Sequence, residues 1–107
     1  MSTFTVIWNI VIDENDNLYI GATGTGGGDP AYVFKLDSSG NHLWGSNGVN
    51  VGSGYAVTVL PLSTGGAIVS WFPSGESVMQ KYDASGVAVW GSTQPVVNAG
   101  NDTVPAN

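Results

Sequence analysis

The chain lacks cysteine and arginine, and it has only two lysines and a single histidine among its 107 residues. Without cysteine there is neither a disulfide framework nor a thiolate metal site. Eight carboxylates against two lysines leave a formal net charge of −6. Phosphate neutralisation needs Lys and Arg, so nucleic acid is not an expected partner. The same shortage argues against an anionic membrane surface. No apolar run approaches the ~20 residues of a spanning helix and no basic-then-apolar leader opens the chain, so no membrane insertion is expected. Charged residues make up only 9% of the chain, low for a globular domain. No segment has a helical hydrophobic period. What the chain has instead is 16 glycines, 5 prolines and 42% hydrophobic residues. With plentiful Thr, Ser, Val and Trp, this composition points to an all-β protein with many tight turns.

An internal repeat organises the chain. The stretch KLDSSGNHLWGS, from Lys35 to Ser46, matches KYDASGVAVWGS, from Lys81 to Ser92, at seven of twelve positions and an offset of 46. Upstream, residues 11–22 lie over residues 60–71 at an offset of 49. The three-residue difference falls in the glycine-rich stretch 24–30, which reads as a loop insertion. Each unit parses into four short strands: 4–12, 18–22, 32–36 and 43–45, then 56–60, 67–71, 78–82 and 87–91. In the first strand, Val6, Trp8, Ile10 and Ile12 alternate onto one side. Asn15-Asp16-Asn17 and Ser63-Thr64-Gly65-Gly66 are hairpin turns. In Asp37-Ser38-Ser39-Gly40 and Asp83-Ala84-Ser85-Gly86, the leading Asp and closing Gly fit a type I turn.

Four strands in about 46 residues is the size of a propeller blade. The pattern Lys35-x-Asp37-x-Ser39-Gly40 with Trp44-Gly45, preceded by Ile12-Asp13 and Asn17-Leu18-Tyr19-Ile20, resembles bacterial β-propeller repeats of the PQQ-like and SBBP type. The resemblance covers about residues 5–92. It implies two four-stranded antiparallel blades, residues 1–46 and 47–93, with 94–107 as a strap or tail. Such propellers usually string six to eight blades in one chain, and two blades cannot close a ring. Homo-oligomerisation is the expected solution, because identical head-to-tail contacts close rings when the rotation suits. Three copies give six blades and four give eight.

Most candidate residues fit this frame. Asp37 and Asp83 cap turns, Gly40 and Gly86 take positive φ, and Trp8, Trp44 and Trp90 pack between blades. Asp13-Glu14-Asn15-Asp16-Asn17 resembles a calcium loop, but Leu18 stands where that loop needs glycine and Gly24 where it needs glutamate. It reads as an acidic hairpin, and no metal is expected. Gly24-Thr25-Gly26-Gly27-Gly28-Asp29 leads into a strand rather than a helix, so it is no phosphate loop. His42 alone supports neither a zinc site nor a triad. Lys35 and Lys81, each two positions before an Asp, are expected to form modest ion pairs. The aromatics Trp8, Tyr19, Tyr32, Tyr55, Trp71, Phe72 and Tyr82 serve packing in the main, with sugar stacking as the functional alternative.

No catalytic set recurs in the two units, and neither an enzyme nor a cofactor is expected. The expectation is a homo-oligomeric module for binding or assembly, with a glycan or surface as partner and extracellular or virion-associated soluble protein as setting. The alternative is a purely structural or virion-decorating protein. Ligand contacts are expected at Gly26, Gly27, Gly28, Asp29, Tyr32 and Trp71, where the two units differ most.

Overall fold

The structure is a computed structural model and describes residues 4–24 and 28–96. It is all-β, with no helix among the described residues. Strands β1 (Phe4–Ile12), β2 (Leu18–Gly24), β3 (Pro30–Leu36) and β4 (Val49–Ser53) form one antiparallel sheet in sequence order. Strands β5 (Tyr55–Pro61), β6 (Ala67–Ser74), β7 (Glu76–Tyr82) and β8 (Gln94–Pro95) form a second, ordered the same way. Gly54 alone separates the sheets, so the division expected between residues 46 and 47 falls in the loop ahead of β4.

The first three strands of the two sheets pair in equivalent register. Ile10 pairs with Ile20 as Val59 pairs with Val69, and Tyr19 with Lys35 as Ile68 with Lys81. The insertion is where the sequence puts it. The pair Ala22–Tyr32 encloses nine residues, and its counterpart Trp71–Val78 encloses six.

One turn recurs at four repeat-equivalent places, two in each sheet. In each, the first residue accepts a hydrogen bond from the N–H of the fourth, and the fourth residue has positive φ: Asp16 (66°), Gly40 (87°), Gly65 (96°) and Gly86 (83°). A type I turn followed by a left-handed residue matches the twist of its flanking strands. In three of the four turns the first residue is aspartate, and its Oδ1 accepts two further backbone N–H groups. These are Asn15 and Asn17 for Asp13, Ser39 and Asn41 for Asp37, and Ser85 and Val87 for Asp83.

The fourth strands differ from the sequence expectation. Residues 43–45 and 87–91 form no strand; only single bridges, Leu36–His42 and Tyr82–Ala88, close behind the turns. Gly45 and Gly48, both at positive φ, swing the chain clear before β4 begins at Val49. In the second unit the Gln80 side chain takes both backbone groups of Trp90, accepting from its N–H at 3.1 Å and donating to its carbonyl at 3.3 Å. Those groups are then unavailable to a ladder. Of the expected tail, Gln94 and Pro95 form β8 against β7; residues 97–107 lie outside the described residues.

The core lies between the sheets. Tyr19, Ala31 and Val33 from the first meet Val57, Val59, Ala67, Val69, Trp71 and Tyr82 from the second, with Trp44 spanning the two. Gly21 permits the closest approach: a Cβ there would lie 2.8 Å from Val57 Cγ1, so any side chain would force the sheets apart.

Candidate functional site

The sheet–sheet junction holds a polar cluster built from both repeats. The Lys35 ammonium is buried and donates to the Gly65 carbonyl at 2.6 Å. It also lies 5.3 Å from the Tyr19 ring centroid and 5.8 Å from that of Trp44. A carbonyl and two aromatic faces offset the cost of removing the charge from water. The expected pairing of Lys35 with Asp37 is not made, because the Asp37 carboxylate is taken up by its own turn. The Trp44 indole crosses to the second sheet and donates to the Ala84 carbonyl at 2.9 Å. Its ring lies on Gly86, where a Cβ would stand 2.9 Å from Trp44 Cγ. Tyr19 and Tyr82 flank it with ring centroids 5.9 and 6.3 Å away.

Two titrating groups sit at the same end. Burial, then a hydrogen bond donated to Asp13 Oδ2 at 3.0 Å, pushes the Tyr19 phenol well above its ordinary range. Burial works to raise Asp13, but hydrogen bonds from Asn17, Asn15 and Tyr19 outweigh it and hold the carboxyl below its ordinary value. A cleft lies between the equivalent hairpins Ile12-Asp13-Glu14 and Pro61-Leu62-Ser63.

The second feature is an exposed apolar surface. On the face of the first sheet turned away from the second, Ile7, Ile10 and Ile12 are 58%, 57% and 65% exposed. Leu18, Ile20, Tyr32, Phe34 and Leu36 continue that face, half-buried. Isoleucines of one strand exposed side by side form a contiguous patch, which is different from scattered surface leucines. Trp8 does not share that face, contrary to what its alternation with Ile10 and Ile12 predicts. The register shift between Ile7 and Asn9 turns it toward the second sheet. There it is 43% exposed, donates to Thr23 Oγ1 at 2.8 Å and stands edge-on to Tyr55 with ring centroids 6.4 Å apart. Trp90 is half-buried.

The ligand residues expected from sequence do not gather in one place. Trp71, expected to offer an exposed ring, is 3% exposed and packs in the core over Gly52, because its β6 face is the one turned to the first sheet. Tyr32 lies on the outer face of the first sheet, tilted against Phe34. Gly28 and Asp29 are exposed, and Asp29 Oδ2 accepts from the Tyr55 hydroxyl at 2.6 Å. That bond raises the Tyr55 phenol above its ordinary value. Gly26 and Gly27 lie outside the described residues. His42 is exposed, edge-on to Phe34.

No protein-family profile, curated protein or solved structure matches the chain. The comparison that remains is internal, one repeat against the other. Sequence reasoning missed the role of Lys35. The signal was present: Lys35 precedes a turn whose aspartate is already committed to backbone N–H groups.

Proposed function

We propose that the chain is a non-enzymatic assembly module whose copies close a β-propeller, three copies giving six sheets and four giving eight. One observation carries this reading. The outer face of the first sheet is the repeat equivalent of the very face by which the second sheet docks. Ile10, Ile20, Ala22, Tyr32 and Leu36 correspond to Val59, Val69, Trp71, Val78 and Tyr82. In the second sheet most of these residues are buried against the first. In the first sheet the same positions are apolar, with Ile10 57% exposed, Ile20, Tyr32 and Leu36 half-buried, and Ala22 buried. The complementary surface is then the free face of the second sheet in another copy, which carries Leu60, Ile68, Ser70, Phe72 and Met79. Such a contact is head-to-tail, and repeated by rotation it closes a ring. The carboxylates of Asp13, Asp37 and Asp83 are already acceptors in their own turns, which supports a structural rather than acid–base use. The resemblance to propeller repeats supports the same reading. Replacing Ile10 by Asp should dissociate the assembly into folded monomers, read by sedimentation velocity with circular dichroism as the control for folding. Unchanged sedimentation would defeat the proposal.

A glycan-binding role on such a ring rests on Asp29 and Tyr55. An exposed carboxylate joined to a 44% exposed aromatic ring combines a hydrogen-bond acceptor with a stacking surface. A glycan array on wild type and Tyr55→Ala tests it; saturable binding lost in the variant would support recognition.

A further inference from the structure

The junction inside the chain has half of a second junction waiting at each end of the molecule. Trp44 corresponds to Trp90, Lys35 to Lys81, Gly86 to Gly40, Ala84 to Ser38 and Gly65 to Asp16. Inside the chain, Trp44 lies on Gly86 and donates to the Ala84 carbonyl, while Lys35 donates to the Gly65 carbonyl. Among the described residues the counterpart side chains make no equivalent contact. The Trp90 ring is half-buried and its indole N–H makes no hydrogen bond among the described residues, nor does the Lys81 ammonium. Gly40 carries the same left-handed turn as Gly86, with φ values of 87° and 83°, yet a Cβ built on it meets nothing within 4 Å. The receiving turns have the same hydrogen-bonded geometry in both sheets, so the Ser38 and Asp16 carbonyls are presented as those of Ala84 and Gly65 are.

We propose that the intrachain junction continues between copies: Trp90 of one copy lies on Gly40 of the next and donates to its Ser38 carbonyl, while Lys81 donates to its Asp16 carbonyl. The occupant of the Gly40 turn is thus a second copy of this chain. The proposal rests on the ring reading and specifies the contact that locks it. Two features of chemistry favour it. The lysine is the only cation of each repeat, and at the first junction it is used on a neighbouring turn's carbonyl rather than on a carboxylate. The tryptophan needs a seat without a side chain, and the glycine provides one at both turns.

The test is sedimentation velocity across a concentration series on wild type, Trp90→Ala, Lys81→Met and Gly40→Asn, with melting curves of each. Asparagine tolerates the left-handed turn but fills the seat. Trp90→Ala and Gly40→Asn should each raise the concentration of half-dissociation at least about tenfold, while the dissociated chains keep their β circular dichroism. Gly40→Asn does not touch Trp90, so it keeps the test sound if Trp90→Ala loosens its own loop. An assembled wild type with both variants equally assembled would overturn the lock and leave the ring standing. A monomeric wild type would overturn both.

Discussion

The two faces of the first sheet are built to different ends from the same ladder. The inner face carries Tyr19, Gly21, Val33 and Lys35, and each is matched to something specific on the second sheet. The outer face carries exposed isoleucines and half-buried aromatics. The second sheet reverses the assignment: its apolar face is covered, and its mixed face, with Ser70, Met79 and Lys81, is turned outward. A chain of repeats thus acquires polarity. The face by which the second sheet docks is the repeat equivalent of the outer face of the first, so equivalent positions meet different surroundings within the one chain.

Substitutions at equivalent positions should separate the made junction from the open one. The largest effect on the folded chain is expected for Trp44→Ala, which empties a position 5% exposed between Tyr19 and Tyr82. It should lower stability by about 3–5 kcal/mol in urea unfolding, whereas Trp90→Ala in dissociated chains should cost far less. Next comes Gly21→Val, which drives a branched side chain into Val57 and should cost about 1–3 kcal/mol. The equivalent Ser70→Val, on the free face, should stay within about 0.5 kcal/mol for the dissociated chain. Equal losses at Gly21 and Ser70 would break the comparison. Lys35→Met should cost about 1–3 kcal/mol by leaving the Gly65 carbonyl without its charged donor, and Lys81→Met should be near neutral until copies associate.

The smallest effects are those of pH. Asp13 and Asp37 are held below their ordinary values: Asp13 against its burial, by N–H donors and the Tyr19 hydroxyl, and Asp37 by hydrogen bonds from Asn41 first. A carboxyl lowered in the folded state contributes its full stability above the unfolded pKa of about 3.9 and loses it as pH falls through the folded value. Melting temperature should therefore drop below about pH 4, and Asp37→Asn should flatten part of that drop. Burial raises Tyr82, and burial with the Asp13 bond raises Tyr19. Folded-state phenols raised in this way stabilise below the unfolded pKa of about 10, and that contribution is lost as pH rises past it. Alkaline unfolding followed by tyrosinate absorbance checks this.

Much of the ladder was legible in the sequence because it is local. The Asp-to-Gly turn spacing placed the β3 and β7 ends, and the offset change from 49 to 46 marked the loop between β2 and β3. The fourth strands were not legible. Residues 43–45 alternate and carry Trp44, as a strand would, but that tryptophan is aimed across to the second sheet, and the chain turns away at Gly45. Trp71 was misplaced for a related reason. Alternation says which residues share a face and is silent on which face meets a neighbour. Only the packing of β5 against β1 and β2 decides that, and it buries Trp71 while leaving Ile10 and Ile12 exposed. The pairing of Lys35 with a carbonyl, rather than with Asp37, likewise depends on a turn 30 residues away.

The most direct test is the native mass of the wild-type chain at micromolar concentration. A single closed species of three chains, or of four, is expected, and Ile10→Asp should convert it into folded monomers. A stable, folded wild-type monomer at that concentration would contradict it.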